Sequence, residues 1–213
     1  MFIRAFSWKN FILKSEIKFI FGINSKFEIN KISFLKTIVF LGISNVGKSS
    51  LINKICFRKK ISRVSKFPGS TSQINVFSLS DKLYIADCPG YGYAKKSKKE
   101  ISNIKKLLIK YIQCVENNKI FNLLVDIRKG LREEDINILF LLLENQRKIN
   151  LVFTKVDKVC DKEKIDKVRQ AKQMLNSIIV DNKNFLYTTE ISVFLTSIKN
   201  NQDLLKLCST FVL

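Results

Sequence analysis

The stretch Gly42-Ile43-Ser44-Asn45-Val46-Gly47-Lys48-Ser49 constrains this chain more than any other. It fits G-x-x-x-x-G-K-[ST] and directly follows Thr37–Leu41 (TIVFL), a β-branched and aromatic run that reads as a buried strand. Glycines at both ends let such a loop wrap tightly, so that backbone N–H groups converge on the α- and β-phosphates of a nucleotide. Lys48 then reaches the β- and γ-phosphates, and the Ser49 hydroxyl ligates Mg²⁺. A helix over Ser49–Ile55 adds the positive end of its dipole to the same place.

Beyond that loop, short apolar runs alternate with longer amphipathic stretches. Ile74–Leu79 and Leu83–Ala86 read as strands joined by the polar turn Ser80-Asp81-Lys82. Lys98–Val115 has helical periodicity, Ile120–Val125 is a strand and Glu133–Arg147 a helix. Leu151–Phe153, a helix near Lys162–Ile179, Val193–Leu195 and a closing helix from Asp203 continue the series. The pattern predicts an α/β chain of the P-loop NTPase fold, with a mostly parallel central sheet and helices on both faces. Ligands bind such sheets at the carboxyl ends of the strands.

Three more segments fall at those ends. Asp87-Cys88-Pro89-Gly90 follows Leu83–Ala86: Asp87 is placed to hold Mg²⁺ through water, and Gly90 can offer its N–H to the γ-phosphate. Thr154-Lys155-Val156-Asp157 ends Leu151–Phe153, and the Asp157 carboxylate can accept from both N1–H and the exocyclic amine of guanine. Adenine would leave that acid unpaired, so the ligand read here is GTP or GDP. Thr196-Ser197, after the last strand, can offer backbone contacts to guanine O6. Gly69-Ser70-Thr71 lies between the first loop and Asp87. Its Thr71 hydroxyl is the candidate to join the Mg²⁺ shell when GTP is present. Lys48, Thr71 and Gly90 are the catalytic candidates, and Ser49, Thr71 and Asp87 the metal candidates.

Composition narrows the chemistry. There is no histidine, which excludes a His-based triad, an imidazole base and a His-ligated zinc. The five cysteines are widely spaced with no Cys-x-x-Cys pair, as in reduced thiols of a reducing, cytoplasmic setting. The formal charge of +20 favours a polyanionic partner, although a Lys-, Ile- and Asn-rich coding bias would also produce it. Residues 1–35 are basic and aromatic. Arg4, Lys9, Lys14, Glu16 and Lys18 interrupt every apolar run, so no membrane span is expected there. The acid-free residues 1–15 also suit an organellar transit peptide. The reading taken is an extension, 1–35, packed on a nucleotide-binding domain, 36–213.

Taken together these residues resemble the EngB-type GTPases, ribosome-assembly factors of the TrmE–Era–EngA–EngB–septin superfamily. The resemblance rests on Ser44-Asn45-Val46-Gly47-Lys48-Ser49-Ser50-Leu51-Ile52-Asn53 and on Asp87-Cys88-Pro89-Gly90-Tyr91-Gly92-Tyr93-Ala94. Pro68-Gly69-x-Thr71 with Ile74-Asn75, Val125-Asp126-Ile127-Arg128 and Thr154-Lys155-x-Asp157 also match. Departures are Ile43 in place of the usual Arg, Ser70 and Ser72 around Thr71, and Asn200-Asn201 where a Gly is usual after Ser197. The resemblance implies slow GTP hydrolysis, a potassium ion beside Asn45, and association with the large ribosomal subunit or its precursor by a monomer that binds neither DNA nor membrane. Two other functions fit the residues: an RNA-binding scaffold with a structural GTP site, and a signalling GTPase recruited to a membrane or organelle by residues 1–30.

Overall fold

The computed structural model describes residues 2–59, 61–62, 73–92, 97–181 and 191–211. Helix α1 (Phe2–Lys14), strand β1 (Ile17–Ile23) and the short helix α2 (Lys26–Asn30) come first. They lead into β2 (Thr37–Gly42) and α3 (Lys48–Ile55), then β3 (Ile74–Leu79), β4 (Leu83–Asp87), α4 (Lys98–Cys114) and β5 (Lys119–Asp126). Helix α5 (Glu133–Glu144), β6 (Lys148–Thr154), α6 (Asp161–Asp181), β7 (Ile191–Leu195) and α7 (Asn201–Cys208) complete the chain.

All seven strands join one sheet in the order β1-β3-β4-β2-β5-β6-β7. Strands β4, β2, β5, β6 and β7 run parallel, whereas β3 is antiparallel to β4 and β1 antiparallel to β3. The sheet is therefore α/β and mostly parallel. Its central strands are buried on both faces, with every residue of β2 and β5 buried, as expected where crossover helices cover a parallel sheet.

The basic, aromatic N-terminus is woven into this body. Strand β1 adds an edge to the sheet, and Trp8 of α1 is fully buried with its indole N–H donating to the Ile55 carbonyl at 3.1 Å. That bond satisfies a carbonyl at the end of α3, where no intrahelical donor remains. Trp8 also meets Phe211 edge-to-face at 5.2 Å between ring centroids, joining the start of the chain to the turn after α7.

Two boundaries depart furthest from the sequence reading. Helix α5 stops at Glu144, because Gln146 takes a left-handed φ of 51° and turns the chain into β6. Arg147, expected in the helix, instead donates from Nε and Nη2 to the Ile112 carbonyl at 3.1 and 2.7 Å. Strand β6 is longer than its apolar run because buried Asn150 pairs in register with Asn122 of β5, donating to its Oδ1 at 3.0 Å. Polar residues inside a central strand hide it from a hydrophobicity reading, and here they satisfy each other.

Candidate nucleotide site

The site lies at the carboxyl ends of β2, β4, β6 and β7. Residues 42–47 leave β2 as a tight loop in which Gly42, Asn45 and Gly47 have φ of 149°, 64° and 112°. Gly42 could not be replaced without collision, since a Cβ there would stand 2.8 Å from the Leu124 carbonyl oxygen. Lys48 and Ser49 then open α3. The Lys48 ammonium is buried and donates to the Gly42 and Ile43 carbonyls at 2.8 and 3.1 Å. Burial lowers its pKa, against the attraction of Asp87.

Asp87 ends β4 and is buried, which raises its pKa; a hydrogen bond from the Ser62 hydroxyl and the charge of Lys48 act the other way. Cys88 and Pro89 are buried beside it, and Cys88 contributes its backbone N–H to the Phe40 carbonyl at 3.2 Å. Gly90 presses on the loop after β2: a Cβ there would lie 2.7 to 2.9 Å from Ser44 Oγ, Cα and N. The Ser44 N–H donates to the Tyr91 carbonyl at 3.2 Å, so the two phosphate-facing segments are stitched together. Gly90→Ala is expected to force them apart, at roughly 1–3 kcal/mol. Affinity for a non-hydrolysable GTP analogue should then fall more than affinity for GDP in a fluorescence titration; equal losses would reduce the contact to packing.

The base-reading end is equally well tied. Thr154 Oγ1 donates to the Val46 carbonyl at 2.8 Å, and Lys155 Nζ to the Asn45 carbonyl at 2.7 Å. Val156 begins a short 3₁₀ turn (Val156–Lys158), and its N–H donates to the Thr196 carbonyl at 3.3 Å. Asp157 accepts from Ser197 Oγ at 2.8 Å and lies 3.2 Å from Lys199 Nζ. The Ser197 bond first, and Lys199 after it, hold its carboxyl below the usual value.

The residues read from sequence thus converge on one face, from Gly42–Ser49 through Asp87–Gly90 and Thr154–Asp157 to Thr196 and Ser197. Gly69, Ser70 and Thr71 lie outside the described residues. Sequence reasoning assigned no role to several residues that shape the site. Asp126 accepts from Arg128 Nε and Nη2 at 2.9 and 2.6 Å and from Lys155 Nζ at 2.9 Å. Burial pushes its pKa up, but those donors prevail and hold it at about 2. It therefore stays an anion that anchors Lys155. The tetrapeptide Val125–Arg128 carried the signal for this, within the family pattern. Asn53 likewise stands at the end of the Ser44–Asn53 run of the family pattern, whereas Ser62 and Asp135 had no such signal. Tyr91 donates from its hydroxyl to Asp135 Oδ1 at 2.8 Å and is buried, so the residue after Gly90 faces α5.

Mg²⁺ fits these donors. Ser49 and Asp87 are hard oxygen groups beside a phosphate-sized loop, and Mg²⁺ is commonly held by one or two protein oxygens, water and nucleotide phosphate. Among the described residues no cluster of three or more His, Cys, Asp or Glu side chains offers an all-protein metal cage. The ion would supply charge neutralisation on the β- and γ-phosphate oxygens.

The sequence profile of a family described as 50S ribosome-binding GTPase matches residues 37–155. The chain is 42% identical over 157 residues to the probable GTP-binding protein EngB of Rickettsia bellii, covering 74% of each. The chain belongs to the EngB family of GTPases. The EngB protein of Rickettsia akari is 44% identical over 150 residues, 70% of each chain. A crystal structure of a probable GTP-binding protein engB shares the fold, with a TM-score of 0.57 and 24% identity over 80% of this chain and 94% of that one. Toc33 of Arabidopsis thaliana also shares it, with a TM-score of 0.61 at 15% identity, covering 97% and 91%. Like other members of the EngB family, the protein binds guanine nucleotide and hydrolyses GTP. Among its described residues no helix is long and apolar enough to cross a membrane.

Proposed function

We propose that this EngB-family GTPase is a nucleotide-dependent switch in assembly of the large ribosomal subunit, acting in the cytoplasm and needed for normal growth and division. The observation that carries the proposal is the match of residues 37–155 to the 50S ribosome-binding GTPases. Mg²⁺ held by Ser49, Asp87 and Thr71, with phosphates cradled by Gly42–Ser49 and guanine read by Asp157, forms the nucleotide half of the switch. A potassium ion beside Asn45 belongs to the same reading.

Charge supports an RNA-rich partner. Arg58 and Lys59 follow α3 and are exposed, as are Lys98 and Lys99 at the start of α4. They flank the segments expected to respond to the γ-phosphate; Lys60, Arg63, Lys66, Lys95 and Lys96 of the same runs lie outside the described residues. Slow intrinsic turnover is supported by Tyr91. Where a water-orienting glutamine is familiar, this side chain is buried with its hydroxyl on Asp135. A partner that completes the site would then raise the rate.

Co-sedimentation with large ribosomal subunits at physiological salt tests the proposal, comparing a non-hydrolysable GTP analogue, GDP and no nucleotide. Binding is expected with the analogue and not with the other two. Equal binding in all three states, falling steeply with salt, would instead favour simple polyanion attraction and the scaffold reading.

A further inference from the structure

Asn53 lies one helical turn beyond Ser49 on α3, so the two side chains leave the same face of the helix. Its amide brackets the chain where the segment after α3 returns to the site. Oδ1 accepts from the Ile61 and Ser62 N–H groups, both at 2.9 Å, and Nδ2 donates to the Ser62 carbonyl at 2.8 Å. Both backbone polar groups of Ser62 are thereby fixed. Its hydroxyl donates to Oδ2 of Asp87, and Asn53, Ser62 and Asp87 are all buried.

A buried carboxylate that serves a metal through water needs its plane fixed, because each of its oxygens can face either way about the Cβ–Cγ bond. Neither β-strand pairing nor Lys48 does this for Asp87: the ladder fixes only its backbone, and Lys48 Nζ is hydrogen-bonded to the Gly42 and Ile43 carbonyls. Ser62 does. We propose that Ser62 is a positioning residue for magnesium: it holds one oxygen of Asp87 and leaves the other for Mg²⁺-bound water, while Asn53 holds Ser62. The proposal rests on the reading of Ser49 and Asp87 as the magnesium residues. Because Ser62 stands on the segment that leads to Thr71, the same bond joins the two regions expected to respond to nucleotide.

Groups that orient a metal-serving side chain change metal affinity by about tenfold or more when removed. The test is a Mg²⁺ titration of a fluorescent GDP analogue bound to the full chain, read as the Mg²⁺ concentration that half-maximally slows its release. Ser62→Ala is expected to raise that midpoint about tenfold. Ser62→Thr, which keeps the hydroxyl, should stay close to the parent protein. Affinity in EDTA and the thermal unfolding midpoint should be unchanged in both, which a purely structural role would not allow. Ser49→Ala serves as the control. If it raises the midpoint and Ser62→Ala does not, the role of Ser62 is overturned and the metal reading stands. If neither variant moves it, the metal reading falls and the inference with it. A shift in Ser62→Ala matched by an equal loss of affinity in EDTA also overturns it.

Discussion

Lys48→Ala is expected to weaken GTP and GDP binding by roughly 10²- to 10⁴-fold while the nucleotide-free protein stays folded. Truncating one member of a buried, hydrogen-bonded charge pair costs about 2–5 kcal/mol, and the polyphosphate is the partner in question. The structure explains why lysine, and not a generic cation, is needed. Its ammonium is buried and donates to two neutral carbonyls, Gly42 and Ile43. No described carboxylate forms an ion pair with it, and burial disfavours its charge. Such a cation is only partly compensated by the protein, so an arriving phosphate gains an interaction that water cannot match. The same imbalance predicts little loss of stability on truncation. Two hydrogen bonds disappear, but a desolvated charge disappears with them. Lys48→Arg should not rescue binding, because a planar fork does not fit where a single compact ammonium touches two adjacent carbonyls. Isothermal titration of GDP, paired with thermal unfolding, checks both halves. Unchanged affinity would mean that the nucleotide is held elsewhere.

Much of the site was legible because its parts are contiguous in sequence. Among the described residues, each phosphate- or base-facing group sits at or directly after the end of a strand, and local residue types announce it: Gly42 and Gly47 at positive φ, Lys-Ser at the helix start, Asp at the strand end. What joins those loops to each other was not legible. Ser62 meets Asp87, Tyr91 meets Asp135 and Thr154 meets the Val46 carbonyl only through the tertiary fold. A hydroxyl or carboxylate gives no hint in sequence of which distant group it will satisfy.

The fold shows the same division. Thr37–Leu41 reads as a strand because its residues are apolar and β-branched, and the structure extends it only to Gly42. Strand β1 does not announce itself so clearly. At the sheet edge, Lys18 and Phe19 are both exposed and the ladder with β3 shifts between Phe19 and Phe21, so the alternation of a half-buried strand is broken. The buried pair Asn122–Asn150 breaks the pattern in the centre of the sheet in another way, by placing polar groups where only partners could tolerate them.

Asp157→Asn should move nucleotide preference from guanine towards xanthine, changing the GTP-to-XTP affinity ratio by roughly 10⁴. The carboxylate is held in place from behind, with Ser197 Oγ at 2.8 Å on Oδ1 and Lys199 Nζ 3.2 Å from Oδ2. Those donors keep it ionised and fix its plane, so its remaining lone pairs point outward as a two-acceptor edge. Guanine offers two donors to such an edge, at N1 and at the exocyclic amine. An amide has one acceptor and one donor group. With its oxygen retained by Ser197, it presents N–H to the base, where the guanine amine is a second donor and xanthine carries a carbonyl oxygen. The substitution keeps the volume and the Ser197 bond, so the loop after β6 should hold its shape through Lys155 and Thr196. Competition of GTP, XTP and ATP against a fluorescent guanine nucleotide measures the ratio. A variant that kept its GTP preference would show that Asp157 supports the loop and that some other group reads the base.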